Sequence, residues 1–375
     1  MWGRRLTTAV VLATVVVAGG FGPGGTAPAR AQTPGDPVFG DVDGDGFRDR
    51  IYLGTVEPGQ CAVIVEYGRP GGMLMPPVAY TYLRPGGTDV RCPDIGVAVN
   101  LDLDNDVDEL MVAWSGGPPP TIARNLLVLG PDFMPAFGIS TFVSRPRYLG
   151  SADFNADGRA DVYALSSADR GLETYYSLGD GTLTVGPLRW CAGTVEPAFK
   201  DFDRDGATAA VVAYTEGCSD DANGVVKVSS NGDVQQLQYD PAGVRQWQAK
   251  VAYVNGDSLA DIRTLALDTG EIEYFVQVPG TIPARFVESP TAVHDRVTIS
   301  GDRAATIPVL ANDYVTTSAR LTIVEPPRYG TAQVTSARTV VYRPDADRRA
   351  TDRFVYRVTE GLRTSNAAVN IRFAE

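Results

Sequence analysis

The 375-residue sequence contains a single histidine, His294. One imidazole cannot build a His-rich zinc site, and no His-dependent triad can form in the long region before it. Cysteines number four, and none sits in a C-x-x-C pair. Their spacing argues against zinc or thiol redox chemistry and fits an oxidising compartment. Lysine is scarce, 3 against 30 arginines, a bias that fits a GC-rich bacterial genome. No segment carries a sustained apolar stripe of helical period, so amphipathic helices are not expected. GxSxG, P-loop and helix-opening GxGxxG motifs are all missing. Beyond the N-terminus no run approaches the roughly 18 apolar residues of a membrane span.

The N-terminus is different in kind. MWGRR is basic, Leu6 to Ala18 is apolar but short, and Ala29-Arg30-Ala31 forms an A-x-A site. Together they predict a secretory signal peptide over 1–31, cleaved near Ala31. The expected location is therefore extracellular or at the cell envelope, with a mature chain that does not span a membrane.

Formal charge is −12. Residues 32–289 hold 36 acids and 18 bases, whereas residues 290–375 hold 9 acids and 12 bases. So acidic a first part repels phosphate backbones, which argues against nucleic acid, and suits bound cations.

The acids are organised. DVDGDGFRD starts at Asp41, NLDLDNDVD at Asn100, DFNADGRAD at Asp153, DFDRDGATA at Asp201 and YVNGDSLAD at Tyr253. The steps are 59, 53, 48 and 52 residues, a repeat architecture. Each loop precedes a short β-rich run, and further short apolar runs lie between Gly/Pro-rich turns. This predicts an all-β chain with about four strands per unit, the size of a β-propeller blade.

Oxygens at positions 1, 3 and 5 of such a turn, a backbone carbonyl at 7 and a carboxylate at 9 can surround calcium. The expected ligands are Asp41, Asp43, Asp45, Phe47 and Asp49 in loop 1. Loop 2 offers Asn100, Asp102, Asp104, Asp106 and Asp108, and loop 3 Asp153, Asn155, Asp157, Arg159 and Asp161. Loop 4 offers Asp201, Asp203, Asp205 and Ala207, and loop 5 Asn255, Asp257, Leu259 and Asp261. Phe47, Arg159, Ala207 and Leu259 enter through their carbonyls. Gly46, Gly158 and Gly206 at position 6 suit a sharp turn, and Asn105 fills that place in loop 2. Loop 4 has Ala209 at position 9, and loop 5 has Tyr253 at position 1 and Ser258 at position 6. Three to five ions are expected, with loop 4 weak and loop 5 weakest. An EF-hand is excluded, because position 12 holds Tyr52, Met111, Ala164, Val212 and Thr264 where it needs Glu.

These loops and their spacing resemble the FG-GAP/VCBS repeat family, down to the pair Phe39-Gly40 before loop 1. The resemblance covers residues 36–286 and implies a β-propeller, as in integrin α heads and some secreted lectins and enzymes. Five repeats imply five blades, with room for a sixth. Residues 287–375 are similar to bacterial Ig-like/cadherin-like repeats, through VLANDY (309–314), LTIVEPPRYGTAQV (321–334) and VVYRPDADRRATDRFVYRVTEG (340–361). That implies a β-sandwich used as a spacer or adhesion unit. Cys191 lies 14 residues before Asp205 and Cys218 lies 13 after it, which suggests Cys191–Cys218 and, by exclusion, Cys61–Cys92. Sequence alone allows three pairings.

Function is less legible. Glycosidase chemistry needs only two carboxylates. Outside the loops, Glu109, Glu173, Glu216 and Glu273 remain, with nothing pairing any two. An enzyme is not expected. Trp114, Trp190 and Trp247 fall in three different repeats; exposed, they would stack on sugars, but such residues more often pack between blades. The expected role is a calcium-binding, non-enzymatic binding or adhesion module for an extracellular glycan or surface protein. The alternatives are a surface scaffold without its own ligand and a carboxylate-dependent enzyme.

Overall fold

The computed structural model describes residues 35–374, apart from 58, 84–90, 103–106, 117–124, 131, 141–144, 167–170, 194 and 216–221. The signal-peptide segment, Asp104, Asn105, Asp106, Glu216 and Cys218 lie outside the described residues.

The chain is all-β. Five four-stranded antiparallel sheets follow one another in sequence order. The first is built from Val38–Gly40, Asp49–Glu57, Gln60–Glu66 and Val78–Leu83. The second comprises Ile95–Val99, Glu109–Ala113, Asn125–Leu129 and Pro135–Ser140, and the third Pro146–Ala152, Asp161–Ser166, Gly171–Ser177 and Leu183–Cys191. The fourth comprises Ala198–Lys200, Ala209–Tyr214, Asn223–Val228 and Val234–Asp240, and the fifth Trp247–Ala252, Asp261–Ala266, Ile272–Gln277 and Phe286–Ser289. In every sheet the acidic loop joins the first strand to the second. The fifth sheet runs on to Ser289, past the boundary expected at 286.

Side chains alternate across a strand, and the inner sheets bury both alternating sets. In Glu109–Ala113, Leu110 and Val112 enter the core shared with the first sheet, while Met111 and Ala113 enter the core shared with the third. This two-sided burial explains the continuous apolar runs, since a one-sided strand would alternate with polar residues. Each large aliphatic buried this way contributes about 1.5–3 kcal/mol. Further cores join the third sheet to the fourth and the fourth to the fifth. Among the described residues no such core joins the fifth sheet to the first. The outward faces there are mixed: Phe39 is exposed beside the Arg50–Glu66 ion pair, and Lys250 and Ile272 are exposed on the fifth sheet.

A disulfide joins Cys61 to Cys92, spanning 31 residues between the first two sheets. Closing a loop of that length stabilises by about 3–4 kcal/mol in the chain-entropy view. Cys191 is also disulfide-bonded.

Residues beyond Ser289 form two further sheets around one core. The larger has the order Asp295–Ser300, Arg363–Ala374, Thr351–Glu360, Arg320–Glu325, and its first pair is parallel. The smaller is Ala305–Ile307, Val340–Pro344, Gly330–Val334. This domain is fastened to the fifth sheet. Thr317 N donates to Val254 O (2.7 Å), Arg363 pairs with Glu273 and Glu288, and Ser289 Oγ bonds Glu360 (2.8 Å).

Candidate cation-binding loops

Loops 1, 3 and 4 fold around the first carboxylate. Asp41 accepts the N–H groups of Gly44 (2.9 Å) and Gly46 (2.7 Å). Asp153 accepts those of Ala156 (2.8 Å) and Gly158 (2.9 Å), and Asp201 that of Gly206 (3.0 Å). Side chains at position 5 then accept from position 7: Phe47 N to Asp45 (3.0 Å), Arg159 N to Asp157 (2.9 Å), Ala207 N to Asp205 (2.9 Å) and Leu259 N to Asp257 (2.8 Å). These are Asx turns, in which a short acidic side chain stands in for backbone.

Left-handed backbone recurs at two positions. Position 6 was expected: Gly46, Gly158, Gly206 and Ser258 have φ of 84°, 83°, 93° and 69°. Position 4 was not: Gly44, Ala156, Arg204 and Gly256 have φ of 74°, 61°, 58° and 84°. Ala and Arg give no sequence signal for that conformation, which costs an L-residue about 1–2 kcal/mol.

The ninth carboxylate is a brace. Asp49, Asp161 and Asp261 are each 0% exposed. One oxygen accepts from position 2, namely Val42 N (2.8 Å), Phe154 N (2.9 Å) or Val254 N (2.8 Å). The other accepts from the end of the third strand or just beyond it, namely Gly68 N (2.7 Å), Ser177 N (2.9 Å) or Gln277 N (3.0 Å). Burial raises all three carboxyls, Asp161 to about 6, against the lowering by these amide bonds.

Loop 2 departs from the expected register. Glu109, not Asp108, accepts the position-2 amide, from Leu101 N at 2.7 Å. The loop is one residue longer, and the longer Glu reaches back from the start of its strand. Asp108 instead meets loop 1: its Oδ2 accepts Asp41 N (2.8 Å) and its own N–H donates to Asp41 O (2.7 Å). Thr208 N makes the same bond to Asp153 O (2.7 Å), joining loops 3 and 4. The apolar run gives no signal of this, because it begins ten residues after the first position in loop 1 as well as in loop 2, at Ile51 and Leu110. Asn100 and Asp102 lie at the start of this loop.

Carboxylate oxygens of Asp41, Asp43 and Asp49 come within 4.8 Å of one another. Asp45 is drawn aside by Arg69, which also lies 3.5 Å from Asp43. In loop 3, Asn155 Nδ2 contacts Asp157 (3.1 Å), and Arg159 lies 3.4 Å from Asp157.

Residues 153–212 match the FG-GAP-like repeat family, and residues 288–372 match the bacterial Ig domain family. The chain carries an FG-GAP-like repeat followed by a bacterial Ig domain. No curated protein matches it.

The FG-GAP-like match begins at Asp153 and runs through loop 4 into the second strand of the fourth sheet. Within it, loop 4 is the more committed to structure. Asp203 accepts Ala284 N from the turn between the last two strands of the fifth sheet, and Arg204 donates to Ser258 O (2.9 Å) in loop 5. Lys227, fully buried, donates to Ser229 Oγ and to Ala284 O (3.2 Å); burial lowers its ammonium, against the pull of Asp203 and Asp233. Loop 5 keeps its Asn255–Asp257 contact (2.7 Å), but Tyr253 is 63% exposed and takes no part.

The remaining expectations fall into the framework. Trp114 and Trp247 are buried, and Trp190 packs against the core between the third and fourth sheets. Of the unassigned acids, Glu109 braces loop 2, Glu173 accepts Tyr175 Oη (2.5 Å) and Glu273 pairs with Arg363 of the Ig domain. His294 accepts Ala368 N through Nδ1 (2.9 Å) in the Ig domain.

Proposed function

We propose that the chain is an exported, calcium-stapled binding or adhesion module without catalytic activity, its five sheets acting as blades of a propeller-type array. The observation that carries the reading is the convergence of Asp41, Asp43 and Asp49. The residues at the equivalent positions in loop 3 are Asp153, Asn155 and Asp161, with Asp157 at the place of Asp45. An all-oxygen donor set favours a hard cation, and calcium takes six to eight such oxygens. When bound, the ion would neutralise the clustered carboxylates and hold positions 1, 3, 5 and 9 together. The chain's own amides already orient the first and ninth carboxylates.

Three features support an adhesion role. Of the acids that the sequence left unassigned, Glu109, Glu173 and Glu273 each make structural bonds. The Ig domain is fastened to the fifth sheet, so the repeats present it in a fixed orientation. The N-terminal signal reading places the chain outside the cell, where millimolar-range calcium sites work. Burial of the tryptophans favours a second reading for the repeats themselves, a stalk without a sugar platform.

A glycan array and an envelope-protein pull-down, each run in calcium and in chelator, test the role. Calcium-dependent retention is expected. Empty screens from demonstrably folded protein would leave the stalk.

A further inference from the structure

Away from the acidic loops, one face of the Ig domain is cationic. In the larger sheet, Arg296, Asn370 and Arg353 lie side by side across three strands. Thr298, Arg372 and Thr351 form the next row. Their sequence neighbours Ile299, Phe354, Ile371 and Phe373 enter the core, so this set faces outward. Arg328 joins them at the edge, and together they line an open groove of 740 Å³. All four arginines are exposed.

The floor of this groove is built. Asp352 is 7% exposed and accepts from Arg328 N (3.0 Å), Tyr329 N (3.0 Å), Arg353 N (2.9 Å) and Tyr342 Oη (2.8 Å). Its charge fixes the backbones that carry Arg328 and Arg353. At the rim Glu325 meets Arg353 at 3.1 Å, an exposed contact of little strength. Arg296 and Arg372 make no ion pair among the described residues.

Adjacent strands lie about 4.8 Å apart and alternate residues about 6.8 Å apart, so Arg372 sits roughly 8 Å from both Arg296 and Arg353. Guanidinium forks at that spacing match successive carboxylates or sulfates, which they bind bidentately. Thr298, Thr351 and Asn370 between them suit hydroxyls. The face lacks the apolar anchors that dominate protein interfaces. Its one aromatic, Tyr329, is covered by Arg328 (5.4 Å), leaving no platform for stacked bases.

We propose that this groove binds an extended anionic polysaccharide, carboxylate- or sulfate-bearing. The inference deepens the binding role proposed above and rests on it. The test titrates the full chain, in calcium, with polygalacturonate, heparin, uncharged dextran and duplex DNA. The same series is run on the triple variant Arg296→Gln/Arg353→Gln/Arg372→Gln and on Arg303→Gln, an exposed arginine outside the groove. Expected are binding to the two anionic polysaccharides and not to dextran, weakening with salt, and a loss of at least about tenfold in the triple variant alone. Unchanged melting of that variant shows that its fold is intact. Undiminished binding in the folded triple variant would overturn the groove while leaving the adhesion role standing. Tighter binding to DNA, or self-association that the triple variant abolishes, would overturn the polysaccharide as occupant. Binding to none of the anions, with calcium-dependent retention on another glycan, would also remove the groove and keep the role.

Discussion

Asp41 and Asp108 exchange two hydrogen bonds, Asp41 N to Asp108 Oδ2 at 2.8 Å and Asp108 N to Asp41 O at 2.7 Å. They seal loop 1 against loop 2, and so the first sheet against the second. Asp108 thus acts as a joint between the two loops. Asp108→Ala should cost about 1–3 kcal/mol in chemical denaturation by leaving Asp41 N without its acceptor, with bound calcium per chain unchanged. A lost ion would return Asp108 to the ligand set.

The left-handed residues at position 4 give a prediction of opposite sign. Ala156 and Arg204 hold φ of 61° and 58° where glycine is free of strain. Ala156→Gly should stabilise the chain by about 0.5–1 kcal/mol after the added unfolded-state entropy is subtracted. Gly158→Ala, at φ 83°, should do the reverse. Urea midpoints at fixed calcium check both.

The Ig domain carries a pH-sensitive pair. Burial raises Asp313 to about 6; burial and then the charge of Asp313 raise Asp295 to about 6. Tyr356 Oη lies 2.9 Å from both Asp313 oxygens, Val293 N donates to Asp313 (2.7 Å), and one buried oxygen of Asp295 has no hydrogen-bond partner. His294, immediately before the Asp295–Ser300 strand, accepts Ala368 N through Nδ1. Folded pKa values above the unfolded value mean that the folded state holds extra protons. This contribution is complete below about pH 4 and is lost as pH rises through about 6. Asp295→Asn should therefore flatten that fall and raise the melting temperature at pH 7. An unchanged difference between wild type and variant across pH 4–7 would contradict it.

Arg363 is the main ionic link between the fifth sheet and the Ig domain, meeting Glu273 and Glu288, with Glu271 at 3.8 Å. Glu273 is nearly buried, so Arg363→Ala leaves its charge without a partner. Calorimetry should show one cooperative transition separating into two. A single unshifted transition would mean that the Thr317–Val254 bond and its neighbours suffice.

The sheets were legible because five acidic loops mark the same joint between first and second strands. Sheet ends were less so: the mixed faces of the first and fifth sheets appear in the sequence only as Arg50, Tyr52, Lys250 and Arg263 interrupting apolar runs. The ninth carboxylate is expected from the sequence as a ligand, and its role as a brace is hidden there, because the donating amides of Gly68, Ser177 and Gln277 come from 16 to 19 residues away. In loop 2 one extra residue hands the position-2 amide to Glu109, which the acidic spacing does not reveal. Position 4 was hidden because Ala156 and Arg204 are not turn formers. The tryptophans could have faced either way, and only packing decides.

Calcium stapling is tested most directly by counting ions and following melting in one preparation. Equilibrium dialysis of the chain against calcium, with melting measured before and after chelator, should show at least the loop 1 and loop 3 sites filled. Chelation should lower the melting temperature, each site contributing about 2.7 kcal/mol at a hundredfold excess over Kd. Asp157→Ala should remove one ion, and Asp257→Ala none. No bound calcium and no shift with chelator would contradict the account.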